Sequence, residues 1–345
     1  MTVRIGINGF GRIGRSYLRA ALSVDADVEV VAINDIADAA TLASLLEWDS
    51  LSGHLPGVQV DSDAILVAGS RIRVTSEREP ARIPWGDEHV DVVIESTGRF
   101  TDSASARLHL TAGARKVIIS APADGDVPAV VLGVNDDAVD MRQDVFSNGS
   151  CTTNCLAPMA KVLHEAFGID SGLMTTIHAY TSDQRLHDAP HGDLRRARAA
   201  ALSTIPTSSG AASTIGRIIP ELDGKLTGLS LRVPVPVGSI TDLTAQLSRP
   251  ATGEEVNEAF ATAAETPGMS PYLAYSEAPL VSADIVGNPH SAIFDAPLTL
   301  VAGDQVKVFA WYDNEWGFSN RLVELSQRVG ALNRPGNPGG SIPWK

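Results

Sequence analysis

Cysteine is nearly absent: 345 residues contain two, Cys151 and Cys155. That excludes a disulfide scaffold and predicts a reducing, cytoplasmic setting. No cluster of His or further Cys accompanies the pair, so no metal site is expected. Positive charge is scarce as well. Lys and Arg number 27 against 41 Asp and Glu, a net charge of −14, whereas nucleic acid or an anionic membrane calls for a basic face. No run approaches the roughly 18 apolar residues of a membrane span. The longest charge-free stretch, Ala199 to Gly216, is rich in Ser, Thr, Gly and Pro and reads as a loop. The first 20 residues scatter Arg4, Arg12, Arg15 and Arg19 among glycines, with no apolar segment before a cleavage site, so no signal peptide is expected.

What is present is ordinary globular composition, 44% hydrophobic and 20% charged, enough for about two domains of roughly 150 residues. In the first half, short Val/Ile-rich runs predict strands at 3–8, 28–35, 90–97, 116–122 and 129–135. Between the first two, residues 12–23 place Ile13, Tyr17, Leu18, Ala21 and Leu22 on one helical face. Continuous apolar strands alternating with helices predict a doubly wound parallel sheet of Rossmann type. After about residue 150 the texture changes. Residues 151–167 read as a helix that Pro158 should kink or break. The runs 173–181, 229–247 and 305–313 are long and alternating, which suits a mainly antiparallel sheet in an α+β domain. Residues 320–332 predict a last helix, and a Pro/Gly-rich tail follows. The expected organisation is a nucleotide domain over 1–150 and 316–333, a catalytic domain over 151–315, and a loosely held tail over 334–345.

Gly9-Phe10-Gly11-Arg12-Ile13-Gly14 matches G-x-G-x-x-G, follows a predicted strand, opens a predicted helix, and is answered by Asp35 at the end of the next strand. That context is a dinucleotide fingerprint. The glycines let a pyrophosphate approach the helix N-terminus. Asp35 would accept from the ribose hydroxyls and repel a 2′-phosphate, favouring NAD over NADP. The same aspartate also fits a helix N-cap.

In FSNGSCTTNCLAP the helix should begin at about Ser150, placing Cys151 in the first turn, at the positive end of the dipole. A thiol of pKa about 8.5 is only about a tenth ionised near pH 7.5, and lowering it two units requires about 2.7 kcal/mol. A helix terminus supplies ~0.3–1 and at most ~2 kcal/mol, so a second partner is needed. His178, sharing a strand face with Thr176 and Tyr180, is the candidate. Cys155, one turn on, reads as a buried small hydrophobe.

Over roughly residues 2–333 the chain resembles the phosphorylating glyceraldehyde-3-phosphate dehydrogenase family, through INGFGRIGR (7–15), SCTTNC (150–155), HAYTSDQ (178–184), DLRRARAAA (193–201), GRIIPEL (216–222), GKLTGLSLRVPVP (224–236) and WYDNEWGFSNR (311–321). The resemblance implies that Cys151 attacks an aldehyde and His178 acts as its base, giving a thiohemiacetal and then a thioester that inorganic phosphate cleaves. It implies Thr181, Arg195 and Arg232 as the site for the phosphate of a small phosphorylated aldehyde. Ser150, Thr152, Ser209 and Gly210 would bind inorganic phosphate. Arg12, Ile13, Asp35, Arg78, Ser120 and Asn314 would contact NAD, alongside the glycines. It also implies a homotetramer. Arg196 is expected at the surface or a subunit contact.

The chain departs from the family pattern at Ser209 for Thr, Ser213 for Lys, and Gly149 for Ala, and it lacks an Asn after Pro236. These departures bear on phosphate affinity, and Gly149 is expected to loosen the turn that aims the sulfur. Ala189-Pro190 leaves NADP as a weaker alternative cofactor. The competing readings are erythrose-4-phosphate dehydrogenase, a catalytically weak NAD-binding paralogue, and an inhibitor-tolerant duplicate of a housekeeping enzyme.

Overall fold

The structure is a computed structural model that describes residues 2–332; the tail expected over 334–345 lies outside the described residues. The described residues divide into two compact units, one formed by 2–129, Ala138–Asn148 and 319–332, the other by Val130–Asp137 and Gly149–Phe318.

The first unit is built on an eight-stranded sheet. Its strands are β1 (Val3–Asn8), β2 (Val28–Asn34), β3 (Gln59–Asp61), β4 (Ala64–Val67), β5 (Ser70–Thr75), β6 (Val92–Glu95), β7 (Lys116–Ile119) and β8 (Val145–Ser147). They lie in the order β8-β7-β6-β1-β2-β5-β4-β3. All pairs from β8 to β5 are parallel, and only the pairs β5/β4 and β4/β3 are antiparallel. The six parallel strands have the doubly wound order, which reverses between β1 and β6 and opens a crevice at their carboxyl ends. Helix α1 (Arg12–Ser23) buries Tyr17 and Leu18, and the Tyr17 hydroxyl lies 2.7 Å from Ser326 Oγ on the last helix.

The second unit carries β9 (Ile169–Ala179), β10 (Ile205–Ser208), β11 (Leu226–Val233), β12 (Ser239–Leu247), β13 (Leu273–Ser276), β14 (Ala292–Asp295), β15 (Leu300–Ala302) and β16 (Gln305–Tyr312). Their order is β10-β11-β9-β12-β16-β14-β13, with β15 pairing the start of β16, at residues 305–307, along the edge that β14 pairs further on. Pairing is mainly antiparallel, with β9/β11 and β13/β14 parallel. Helix α2 (Cys151–Phe167) packs on the inner face of this sheet, next to α3 (Ala211–Ile218) and α4 (Gly253–Glu265). The last helix, α5, spans Trp316–Leu332.

Three local expectations are corrected. Helix α2 runs through Pro158 unbroken, because most of its residues, Pro158 included, are buried and packing outweighs the lost backbone bond. The apolar run 229–247 is two strands, separated where Pro234, Pro236 and Gly238 (φ +86°) interrupt the ladder.

The run 129–135 is not a strand. Ala129 makes one isolated bridge to Ser147, and the chain then turns. Asn135 Oδ1 accepts from the N–H of Val131 at 2.8 Å, and Asp136 Oδ1 accepts from that of Gly133 at 2.6 Å, so side chains take donors that a ladder would use. Lys161 Nζ on α2 donates to the carbonyls of Gly133 and Val134 at 3.1 and 3.2 Å, which explains why 130–137 group with the second unit and not, as expected, with 1–150. Gly133 has φ +81°, and a Cβ there would meet Tyr272 at 2.4 Å and the Gly268 carbonyl at 2.9 Å. Gly133→Ala is therefore expected to destabilise the protein by about 2 kcal/mol or more, read as a lower urea midpoint; an unchanged midpoint would contradict this packing.

Candidate active site

In the second unit, Ser150 caps α2: its Oγ accepts from the N–H of Thr153 at 3.0 Å. Cys151 thus occupies the first turn. Gly149 has φ +64°, a conformation an L side chain adopts at a cost, so glycine relaxes this turn. The parallel register of β9 and β11 sets His178 beside Arg232. Cys151 Sγ and His178 Nε2 are 3.3 Å apart. On the far side of the ring, His178 Nδ1 is 2.6 Å from the Ala179 carbonyl and also touches Arg232 Nη1.

Burial pushes the Cys151 thiol up, while the Arg232 guanidinium and the N–H and hydroxyl of Thr152 pull it down. Burial, and next the charge of Arg232, hold His178 well below the usual imidazole value, at about 3. A neutral imidazole beside a protonated thiol is a proton acceptor awaiting work. Cys155 is buried, its thiol pushed up to about 12 by desolvation.

Tyr312, which the sequence reading did not single out, completes the group. Its hydroxyl lies 2.9 Å from Thr152 Oγ1 and 2.7 Å from Thr176 Oγ1, and its ring stands edge-on to His178. Alternation of Val306, Val308, Ala310 and Tyr312 on β16 places it on the inner face. The hydroxyl of Thr152 therefore serves the sulfur and Tyr312. Asn314 is buried, its Oδ1 accepting from Ser239 Oγ at 3.1 Å.

The arginines in 193–198 sit in different surroundings. Arg195 is exposed, and the bond it makes to Asp193 at 2.9 Å is through its backbone N–H. Arg196 is the inward one: its guanidinium pairs with Asp183, reaches Ser208 Oγ at 3.4 Å, and is close enough to repel the charge of Arg232. Side-chain packing of a loop, invisible to periodicity, decides between neighbours. Thr181 is half-buried with its N–H donating to Gln184. Ser209 and Gly210 precede α3, and Ser209 Oγ accepts from the N–H of Ala211, the first residue of that helix, at 3.3 Å. Ser213 is exposed and bonds the Gly210 carbonyl at 2.9 Å.

In the first unit, Gly9 has φ +90°, and a Cβ at Gly14 would lie 2.4 Å from the Gly9 carbonyl. A Cβ at Gly11 would meet no protein atom within 4 Å, so internal packing does not demand glycine there, and the backbone is open to close approach. The N-cap of α1 is Gly11, which brings no side chain to the helix start, where the dipole suits a pyrophosphate. Asp35 is oriented by the N–H groups of Phe10 and Ala37, at 2.7 and 3.0 Å. The cap of the following helix is Asp38. Arg12 forms a two-pronged pair with Asp49, Ile13 is half-buried, Arg78 is exposed, and the Ser120 N–H donates to the Glu95 carbonyl at 2.9 Å. These residues fit a dinucleotide.

Residues 3–103 match the model described as glyceraldehyde 3-phosphate dehydrogenase, NAD binding domain, and residues 150–314 match the corresponding C-terminal domain. The chain is 60% identical over 338 residues to the glyceraldehyde-3-phosphate dehydrogenase of Mycobacterium tuberculosis, covering 96% of this chain and 99% of that one. It is 59% identical over 332 residues to glyceraldehyde-3-phosphate dehydrogenase 1 of Streptomyces avermitilis, with the same coverage. The chain belongs to the glyceraldehyde-3-phosphate dehydrogenase family.

For a family member, a depressed His178 carries a stability consequence. The unfolded chain protonates this imidazole near its ordinary value, and the folded chain only near 3. Its contribution is thus complete above about pH 6.5 and is lost as pH falls toward 3. His178→Asn is expected to lose about 1–3 kcal/mol less stability than wild type between pH 7 and pH 4, by urea unfolding at each pH; equal losses would place the imidazole near its ordinary value.

Proposed function

We propose that the protein oxidises glyceraldehyde 3-phosphate to the acyl phosphate 1,3-bisphosphoglycerate, with NAD as cofactor and inorganic phosphate as acceptor. The observation that carries this is the 3.3 Å contact between Cys151 Sγ and His178 Nε2 beside the buried Arg232. Neutral His178 takes the thiol proton as Cys151 attacks the aldehyde carbon, forming a C–S bond. N–H groups at the start of α2 stabilise the oxyanion. The oxyanion takes that proton from His178 and becomes the hydroxyl of the thiohemiacetal, which leaves the imidazole neutral again. When bound, NAD supplies the acceptor for the hydride leaving that carbon. His178 receives the hydroxyl proton in that step, leaving a thioester on Cys151. Phosphate then attacks the thioester carbonyl, the C–S bond breaks, and the thiolate is regenerated.

Gly9, Gly11, Arg12, Ile13, Asp35, Arg78, Ser120 and Asn314 are assigned to NAD, with Asn314 aligned by Ser239 to meet the carboxamide. Thr181 and Arg232 are assigned to the substrate phosphate, and Ser150, Thr152, Ser209 and Gly210 to inorganic phosphate. Guanidinium groups match phosphate bidentately, and we assign the second one to Arg196 in place of Arg195. We further propose a cytoplasmic homotetramer. A nucleophile that must stay reduced suits a reducing compartment, and Leu173, Leu229 and Leu300 project from the outer sheet face at 65, 42 and 61% exposure. Among the described residues no helix is long and apolar enough to cross a membrane.

NADH formation is expected to require inorganic phosphate. Cys151→Ser should lower kcat by at least about 10³-fold. Arg196→Leu should raise KM for aldehyde or phosphate about ten-fold or more, with Arg195→Leu within about two-fold of wild type. Sustained turnover without phosphate would instead favour a hydrolysing enzyme of the erythrose-4-phosphate type.

A further inference from the structure

Glu95, the last residue of β6, takes no part in this chemistry, yet its side chain is completely buried. Its Oε2 accepts from Asn8 Nδ2 at 2.6 Å and faces His109 Nε2 at 3.1 Å. Its Oε1 accepts from the N–H of Thr97 at 2.8 Å and from the Thr97 hydroxyl. The other ring nitrogen, His109 Nδ1, lies 3.0 Å from the indole nitrogen of Trp85. An indole N–H only donates, so Nδ1 carries a lone pair and the ring proton sits on Nε2, aimed at Glu95. Both carboxylate oxygens are therefore acceptors, held by N–H and O–H groups.

The bonds continue sideways. Asn8 Oδ1 accepts from Asn34 Nδ2 at 2.8 Å, and Asn34 Oδ1 accepts from the Thr75 hydroxyl at 2.9 Å and the Glu77 N–H at 2.8 Å. Glu95, Asn8, Asn34 and Thr75 thus lace the carboxyl ends of four adjacent parallel strands, β6, β1, β2 and β5, along the crevice edge. Thr97, bound twice by Glu95, is also the floor of the glycine loop. A Cβ at Gly9 would lie 2.8 Å from Thr97 N and 2.9 Å from Thr97 Cγ2, and Ser96 Oγ donates to the Gly9 carbonyl at 2.6 Å.

We infer that Glu95, oriented by His109 and Trp85, is a positioning residue for the cofactor: it fixes Thr97, and through Thr97 the Gly9–Gly14 loop, where the pyrophosphate is received. The inference rests on NAD binding by this unit, which titration of the wild-type protein tests separately.

Glu95→Gln keeps the shape of the side chain but turns an NH₂ group toward donors, either those of Thr97 or those of Asn8 and His109. Calorimetric titration of the full-length variant is expected to show Kd raised about ten-fold or more for both NAD and ADP-ribose, which shares the pyrophosphate but lacks nicotinamide. Over the same comparison, kcat at saturating NAD and the rate of Cys151 alkylation by iodoacetamide should stay within about two-fold of wild type. Should Glu95→Gln not fold, Thr97→Val, which removes one of the two bonds to Thr97, is expected to raise both Kd values about three-fold. Wild-type affinities in a folded Glu95→Gln protein, or in Thr97→Val, overturn the inference. Failure of the wild-type protein to bind NAD would overturn the cofactor reading instead.

Discussion

Everything the second unit does depends on a proton shared between sulfur and nitrogen under a guanidinium. Desolvation opposes charge on both Cys151 and His178. Arg232 breaks that symmetry: it favours a negative sulfur and disfavours a positive ring. The helix N-terminus adds to the first effect. The pair therefore rests neutral and is biased toward thiolate character when an electrophile draws on the sulfur. This differs from a sulfur ionised in advance, the picture suggested by helix position and His178 alone. It also explains why three strands of one sheet and one helix terminus converge here, since each of the four contributes one group at fixed distance: Cys151 from α2, His178 from β9, Arg232 from β11 and Tyr312 from β16.

The first unit solves a different problem, receiving an anionic ligand on a chain of net charge −14. It does so with backbone. The N-terminus of α1 and the close contacts of Gly9 and Gly14 form a cradle whose attraction is local and does not depend on overall charge. The carboxylates around it are occupied: Asp35 by two backbone N–H groups, Asp49 by Arg12, Glu95 by its buried donors. Negative side chains so engaged shape the crevice and offer defined acceptors to ribose hydroxyls.

Much of this was legible in the sequence where local pattern and global packing agree. The strand–glycine–helix corner, the position of Asp35 at the end of β2 and the start of α2 at Ser150 follow from spacing and capping chemistry. The same reasoning failed at 129–135, where a Val-rich run looks like a strand until Asn135, Asp136 and Lys161 claim its backbone groups. It failed at Pro158 because propensity yields to burial. The neighbours Arg195 and Arg196 have identical chemistry, and only loop packing tells which faces Arg232. Tyr312 was readable by strand alternation, but its importance appears only once β16 is seen two strands from His178. The Glu95 lacing was not readable, since it joins residues up to 87 apart.

The central claim is that one carbon of the substrate becomes covalently bound to Cys151 and leaves only through phosphate. Mass spectrometry of the protein mixed with the aldehyde and NAD in phosphate-free buffer tests it directly. An acyl adduct on the Cys151 peptide, discharged within the mixing time once inorganic phosphate is added, is the predicted result. No adduct, an adduct on Cys155, or an adduct at Cys151 that phosphate does not release would contradict it.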